Sequence, residues 1–201
     1  MDADDSLARL KQGNARFVAG KPSAKNLVAR RKELVSGQKP FAIILTCSDS
    51  RVSPEHIFDA GLGDIFVIRN AGNLVEPIAL GSIEYAAEHL GAPLLVVMGH
   101  ESCGAVKAAC SSDSALGNIG AIVKTLAEPV RRGSKDPVAV VRENVLCAID
   151  SARKKSEMLS HLEKQGKLKI VGAIYSLATG EVAYLSNGAP LDNSPAKPET
   201  L

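Results

Sequence analysis

Three side chains with metal-binding chemistry occur in two short segments of this 201-residue sequence. Cys47 follows the apolar run 41–46, whereas His100 and Cys103 lie three residues apart, just after the apolar run 94–98. This spacing lets both of the later side chains reach one point. Two cysteines and one histidine suit a tetrahedral Zn²⁺, with the fourth position open to water. An open position is typical of catalytic zinc sites, because structural sites are closed by four protein ligands.

Asp49 and Arg51 lie two and four residues after Cys47, and two interpretations of this pair remain open. They could form a surface ion pair on a turn, which contributes little to stability. Alternatively, Arg51 orients Asp49 beside the metal and keeps its carboxylate ionised. Gly104 follows Cys103 directly and leaves room for close backbone approach at the start of the next helix.

The apolar runs predict how the chain brings these residues together. Strands are predicted at 41–46, 65–68, 94–98, 169–175 and 182–185, and helices at 5–18, 27–35, 78–90, 105–109, 138–152 and 158–164. Strands that alternate with helices indicate a parallel sheet covered on both faces. The short turn at 179–180 makes the last strand antiparallel to its neighbour. We therefore predict an α/β fold, a three-layer sandwich around a mostly parallel β-sheet with one antiparallel edge strand. Sites in such sheets form outside the carboxyl ends of the strands.

Composition limits the classes of function that are open to this chain. Hydrophobic residues make up 45% and charged residues 23%, which is typical of a globular protein. The net charge of +2 does not indicate a polyanion-binding protein, so we expect no nucleic-acid partner. No apolar run approaches the roughly 20 residues of a membrane helix, and the acidic N-terminus is unlike a signal peptide. We expect a single domain over residues 1–201, located in the cytoplasm and not bound to a membrane.

The candidate ligands lie in two segments that resemble the metal-binding motifs of β-class carbonic anhydrases. The first is 37–52, with the sequence GQKPFAIILTCSDSRV, and the second is 99–106, GHESCGAV. Segments 63–73 and 82–86 between them are also similar to that family. Shorter matches upstream and downstream extend the resemblance over nearly the whole chain.

The resemblance implies a role for each residue of the site. Cys47, His100 and Cys103 would bind one zinc ion per chain. Asp49 would accept a hydrogen bond from the zinc-bound water, and Arg51 would hold Asp49 away from the metal. Two further residues match substrate-binding positions of the family: Gln38, which would reach the partner subunit's site, and Gly104, whose backbone would lie against the pocket.

The resemblance also implies an activity and an assembly. The activity is the zinc-dependent, reversible hydration of CO₂ to bicarbonate and a proton, by attack of zinc-bound hydroxide. The assembly is a homodimer or homotetramer with sites at the subunit interface. The N-terminal helical arm, about 5–36, would pack on a partner subunit.

Three alternative functions remain open on the residues alone. The same scaffold could hydrolyse carbonyl sulfide or carbon disulfide, since the same nucleophile would serve. Cys47 or Cys103 could act as a thiol nucleophile without metal, or the chain could be a non-catalytic zinc-binding interaction module. Cys110 lies roughly 10 Å along the helix from Cys103 and is expected to be a small buried side chain rather than a fourth ligand. The other histidines, His56, His89 and His161, have no cysteine or carboxylate at ligand spacing and are expected to have no role in the site. His56 is the nearest of them to the first motif and the one that would relay protons if any does.

Overall fold

The computed structural model of the chain describes residues 1–186 and 189–190 and is built on one six-stranded sheet. Strands β1 to β6 are Ala42–Cys47, Ile65–Asn70, Leu94–His100, Lys169–Tyr175, Val182–Ser186 and Ala189–Pro190. Their order in the sheet is β2-β1-β3-β4-β5-β6. Strands β1 to β4 run parallel and β5 runs antiparallel to β4, which confirms the predicted mostly parallel α/β sheet. The short strand β6, which the sequence does not predict, continues the antiparallel pairing beyond β5.

The helices that surround this sheet include all those predicted. Helices α1 to α9 are Ala3–Val18, Leu27–Glu33, Pro54–Ile57, Pro77–Glu84, Gly104–Ser111, Ile119–Thr125, Ala127–Arg132, Pro137–Lys155 and Glu157–Lys164. Helix α2 continues into a 3₁₀ turn at Leu34–Ser36, and α4 continues into a π-helical turn at Tyr85–His89. Helices α3, α6 and α7 are missed by the sequence analysis. They contain four, seven and six residues, which is too short to show a helical hydrophobic repeat.

Helices cover both faces of the sheet, which confirms the three-layer arrangement. Ile43 and Leu45 of β1 point to one face and pack in a cluster with residues of α4, α8 and α9. Ile44, between them, points to the other face and packs with residues of α1 and α3. Every residue of β1 and β3 is buried. Burial on both faces explains why these strands are continuous apolar runs rather than alternating ones.

The first N-terminal helix packs on the sheet of its own chain through one of its faces. Leu7 and Leu10 of α1 are buried in a cluster with residues of β1 and β3. Asn14 fixes this position, because its Nδ2 donates to the carbonyl of Gly180 at 2.8 Å and its Oδ1 accepts from the amide of Val182 at 3.0 Å. The remaining faces of α1 are mostly exposed, and their packing on a partner subunit stays a prediction. Helix α2 buries no residue in the chain, and its packing on a partner stays a prediction.

The order of the strands places the carboxyl ends of β1 and β3 side by side. From β1 the chain moves to β2 on one side and then returns to β3 on the other side. At this switch point the carboxyl ends of β1 and β3 border a crevice, the usual ligand position in open α/β sheets. Cys47 is the last residue of β1 and His100 is the last residue of β3.

Two expectations concern the extent and location of the chain. Residues 187–188 and 191–201 lie outside the described residues, so the single domain over 1–201 stays a prediction. Among the described residues, no helix is both long enough and apolar enough to cross a membrane. The cytoplasmic location also stays a prediction.

Candidate metal centre

The structure brings the three predicted metal ligands together at the switch point. The ligand atoms of Cys47, His100 and Cys103 all lie within 4.8 Å of one another. The two sulfur atoms are 4.0 Å apart. All three residues are buried, and His100 is fully so. The sequence spacing therefore predicted this cluster correctly, although the two segments are separated by some fifty residues.

His100 supplies the observation that tests whether the cluster fits a metal. Its Nδ1 lies 2.8 Å from the carbonyl oxygen of Glu101, and since a carbonyl only accepts, Nδ1 carries the hydrogen. The Nε2 atom then has a free lone pair. It is buried and has no hydrogen-bond partner among the described residues. Buried polar atoms are normally satisfied, and a metal ion bound by Nε2 and the two sulfurs would satisfy this one.

The backbone between the two later ligands has a conformation suited to one shared ligand point. Ser102 adopts a left-handed φ of 55°, which is uncommon for a residue with a Cβ and costs of order 1–3 kcal/mol. This turn allows Cys103, at the N-cap of α5, to face His100. The preceding Gly99 is needed for close packing, because a Cβ there would lie 2.9 Å from a methyl carbon of Val145 on α8.

The charges around the sulfurs favour one thiolate. The hydrogen bond from the Cys103 thiol lowers the pKa of Cys47 to about 4, despite the opposing effect of burial. Interactions with His100 and with the amides of Gly72 and Asp49 lower it further. The same shared hydrogen bond and burial raise the pKa of Cys103. A divalent cation placed between the sulfurs would ionise both thiols, because a coordinating thiol is deprotonated.

Asp49 and Arg51 form an ion pair beside this cluster. The Arg51 Nε and a terminal guanidinium nitrogen donate to the two carboxylate oxygens at 2.9 and 2.7 Å, and the Arg51 amide adds a bond of 3.0 Å. The Arg51 guanidinium holds the pKa of Asp49 well below its usual range. Asp49 Oδ2 is 3.9 Å from His100 Nε2. Both sequence interpretations therefore describe part of the geometry, since the pair is a turn ion pair and also borders the candidate ligands.

A second arginine that the sequence analysis did not connect with this loop also holds it in place. Arg69 of β2 donates from Nε to the carbonyl of Cys47 at 3.1 Å. It also donates from a terminal nitrogen to the carbonyl of Asp49 at 2.7 Å. Arg69 reaches this loop because the parallel register of β1 and β2 pairs it with Thr46. That register is fixed by the fold and cannot be read from residue spacing.

The remaining predicted residues lie in different surroundings. Gly104 begins α5, is exposed, and would carry a Cβ with no heavy atom within 4 Å, so this position faces open space. Gln38 is exposed in the segment before β1, and no hydrogen bond of the described residues joins it to the cluster. Its predicted role needs a partner subunit and stays a prediction. Cys110 is half-buried and is not one of the clustered ligands, and His56 is exposed.

Comparison with known proteins identifies the family. The family model described as carbonic anhydrase matches residues 42–182, which include all three clustered ligands. The chain is 45% identical over 182 residues to carbonic anhydrase 2 of Mycobacterium tuberculosis, covering 85% of this chain and 87% of that protein.

Solved structures give the same result. The β-carbonic anhydrase CcaA superposes with a TM-score of 0.74 at 28% identity, covering 90% of this chain and 95% of that one. One of the two tetrameric β-carbonic anhydrases of Sordaria macrospora superposes with a TM-score of 0.70 at 25% identity, covering 91% and 98%. The chain therefore belongs to the β-class carbonic anhydrase family.

Proposed function

We propose that this chain catalyses the zinc-dependent, reversible hydration of CO₂ to bicarbonate and a proton. The observation that carries the proposal is the buried, unpartnered Nε2 of His100, which lies among the two cysteine sulfurs with the Asp49 carboxylate beside it. Cys47 and Cys103 would bind one zinc ion as thiolates, and His100 would bind it through Nε2. Three protein ligands leave the fourth position for water.

When bound, zinc lowers the pKa of a water ligand and so supplies a nucleophile near neutral pH. The part played by Asp49 follows from its ionisation and position. A carboxylate with a lowered pKa is an acceptor only, so Asp49 would accept a hydrogen bond from the reacting water and thereby orient an oxygen lone pair toward CO₂. Fixing that orientation in advance reduces the reorganisation needed in the transition state.

The two Arg51 bonds to Asp49 occupy the carboxylate that would otherwise compete with water for the metal. Both carboxylate oxygens accept from Arg51, and the Arg69 bond to the Asp49 carbonyl holds the same residue from the backbone side. Asp49 is therefore kept off the metal, and the fourth position stays available to water. This positioning makes the ion pair useful for catalysis, even though an exposed ion pair contributes little to stability.

The proposed substrate contacts involve a second subunit. Gly104 follows the ligand Cys103 directly and faces open space, and its backbone would lie against the bound CO₂. Gln38 would donate to the substrate in the partner subunit's site, which makes a homodimer the smallest complete assembly and a homotetramer the alternative. The tetrameric relatives support this proposal. The size of the assembly in solution is the corresponding measurement.

The test is to measure zinc content and CO₂ hydration together on matched variants. The wild-type protein should contain about one zinc per chain and hydrate CO₂ in a stopped-flow assay. Cys103→Ala should lose zinc and activity together, because it removes a ligand. Cys110→Ala, which changes a thiol outside the cluster, should retain both.

Other results would favour the alternative functions. An active, zinc-free wild type would support a thiol enzyme, and a zinc-loaded but inactive wild type would support an interaction module. Activity on carbonyl sulfide or carbon disulfide in place of CO₂ would change the substrate. A Cys103→Ala protein with full zinc and full activity would remove Cys103 from the site.

A further inference from the structure

The sulfur of Cys47 receives a hydrogen bond from a neighbouring turn. The backbone amide of Gly72 donates to Cys47 Sγ at 3.4 Å, and both groups are buried. Gly72 lies in the turn 70–74 that follows β2 and has a φ of +84°, where a side chain would be strained. A Cβ at this position would also lie 3.2 Å from the Cβ of Ala105 on α5. Glycine therefore lets the amide reach the sulfur without backbone strain or a tight contact with α5.

The two ends of this turn are joined by one side chain. Asn70 Nδ2 donates to the carbonyl of Leu74 at 2.8 Å, and Asn70 Oδ1 accepts from the amide of Leu74 at 2.7 Å. These two bonds fix the ends of the turn. The central Gly72–Asn73 peptide is held on its amide side by a long bond of 3.4 Å from the Asn73 amide to the carbonyl of Asn70, and a second contact holds its carbonyl side.

That contact comes from Asn144 on helix α8. Asn144 Nδ2 donates to the carbonyl oxygen of Gly72 at 2.7 Å, in a buried bond between residues 72 positions apart. Asn144 is 3% exposed and lies on the buried face of α8 with Val140, Val141 and Val145. A buried amide in apolar surroundings is unfavourable unless it is hydrogen-bonded. The Gly72 carbonyl supplies that bond, so the position of the turn and the identity of residue 144 are linked.

We infer that Asn144 is a positioning residue for the metal centre, acting on Cys47 through the amide of Gly72. This inference rests on the proposed function to the extent that Cys47 is taken to bind the metal. An N–H donor aimed at a coordinating thiolate fixes the direction of the sulfur and withdraws charge from it. Groups of this kind tune metal sites, and their loss typically costs about 10–100-fold in metal affinity or activity.

A purely structural role for Asn144 makes a different prediction. In that case its replacement would lower the stability of the fold and leave the bound metal unchanged. A second substitution on α8 provides the matched control. Ile149 is 7% exposed and packs in the core cluster that contains Ile43 and Leu45, and its Cδ1 would lie 3.3 Å from a Cβ at Gly172 of β4. Ile149→Ala therefore destabilises the same helix without touching the turn.

The test uses the full chain loaded with cobalt(II), whose thiolate charge-transfer absorption reports on the sulfur ligands. For Asn144→Ala we expect a shift of this absorption to longer wavelength, because a sulfur without the Gly72 bond is richer in electrons. We also expect zinc affinity, measured by chelator competition, to fall about tenfold. Ile149→Ala should show neither change, while urea unfolding shows that both variants are destabilised.

Two results would overturn the inference that Asn144 positions the metal centre. Identical absorption and zinc affinity in Asn144→Ala and Ile149→Ala would overturn it. Should Asn144→Ala fail to fold, Asn144→Ser keeps a shorter hydroxyl in place of the amide, and its absorption should shift in the same direction. An unchanged absorption in Asn144→Ser would equally overturn the inference. A wild type that binds no metal would instead overturn the proposed function, so the two failures are distinguishable.

Discussion

Two aspartates ten residues apart, Asp49 and Asp59, have the same electrostatic character and different surroundings. Each is paired with arginine or lysine, and each has a pKa well below its usual range. Asp49 takes its cation from its own turn, where the Arg51 side chain is 54% exposed. The Asp59 side chain is only 2% exposed and accepts hydrogen bonds from the N-terminal arm, where Arg16 and Lys25 lie.

The difference shows that a lowered pKa does not by itself identify a functional residue. Burial alone would raise the pKa of Asp59, and bonds from Lys25, Arg16 and Ser23 outweigh that effect. Those bonds satisfy its carboxylate within the fold. Asp49 has acceptor capacity left over and faces the unpartnered Nε2 of His100 across 3.9 Å. This difference supports the proposed catalytic role of Asp49, whereas Asp59 anchors the N-terminal arm through its bonds to Arg16, Ser23 and Lys25.

The largest expected effect is on the rate of catalysis. Asp49→Asn replaces a carboxylate, which only accepts hydrogen bonds, by an amide whose NH₂ group donates them, so the reacting water can lose its acceptor. We expect kcat for CO₂ hydration to fall about 10²–10³-fold. Zinc content and thermal stability should stay near the wild-type values, because no ligand and no buried group is lost. Stopped-flow hydration, with metal analysis of the same sample, makes the measurement. Full activity in Asp49→Asn would remove the distinction between the two aspartates.

The next effect is on stability and belongs to Asp59. Asp59→Asn leaves Arg16 and Lys25 without their counter-charge, and we expect it to lower the free energy of unfolding by about 2 kcal/mol. The figure is modest because Arg16 is 40% exposed and can be solvated by water. Urea unfolding measures this loss. Hydration activity per folded molecule should stay within about twofold of wild type, because Asp59 lies outside the candidate metal centre and the effects of separate sites are independent. A fall in kcat comparable to that of Asp49→Asn would contradict this account.

The contribution of Asp59 should depend on pH in one direction. Its folded pKa lies below the unfolded value of about 3.9, so its ion pairs stabilise the fold fully above that value. This stability is lost as pH falls through the unfolded pKa toward the folded one. The difference in unfolding free energy between wild type and Asp59→Asn should therefore be constant from about pH 7 to 5 and shrink below about pH 5. A difference that grows with acidity would have the wrong sign.

The smallest expected effect on stability is at Arg51. Arg51→Lys keeps the charge but cannot hold both carboxylate oxygens, because the planar two-pronged contact needs a guanidinium. We expect no measurable change in unfolding, since the side chain is exposed, and about a tenfold fall in kcat/KM as the Asp49 orientation loosens. Urea unfolding and hydration kinetics on one preparation separate the two effects. A clear loss of stability would show that the Asp49–Arg51 pair supports the fold as well.

The sequence allowed some of these residues to be predicted because their signals are local. Cys47 and His100 end apolar strands, and Asp49 and Arg51 lie within four residues of Cys47. Asn144 and Asp59 could not be predicted in this way. Their partners are 72 and 43 positions away along the chain, and only the packing of α8 and of the N-terminal arm brings them together. For the same reason the sequence does not reveal that α1 lies on its own sheet. That contact depends on the three-dimensional position of Asn14, not on the spacing of apolar residues.

X-ray absorption at the zinc edge measures the proposed ligand set itself, because it counts the atoms bound to the metal. For the zinc-loaded protein at neutral pH, the account predicts two sulfurs at about 2.3 Å, one imidazole nitrogen at about 2.0–2.1 Å and one further light atom. The spectrum of Asp49→Asn should be the same, because the Asp49 carboxylate is held by Arg51 and is not a ligand. A first shell without two sulfurs, or one that changes when Asp49 is replaced, would contradict it.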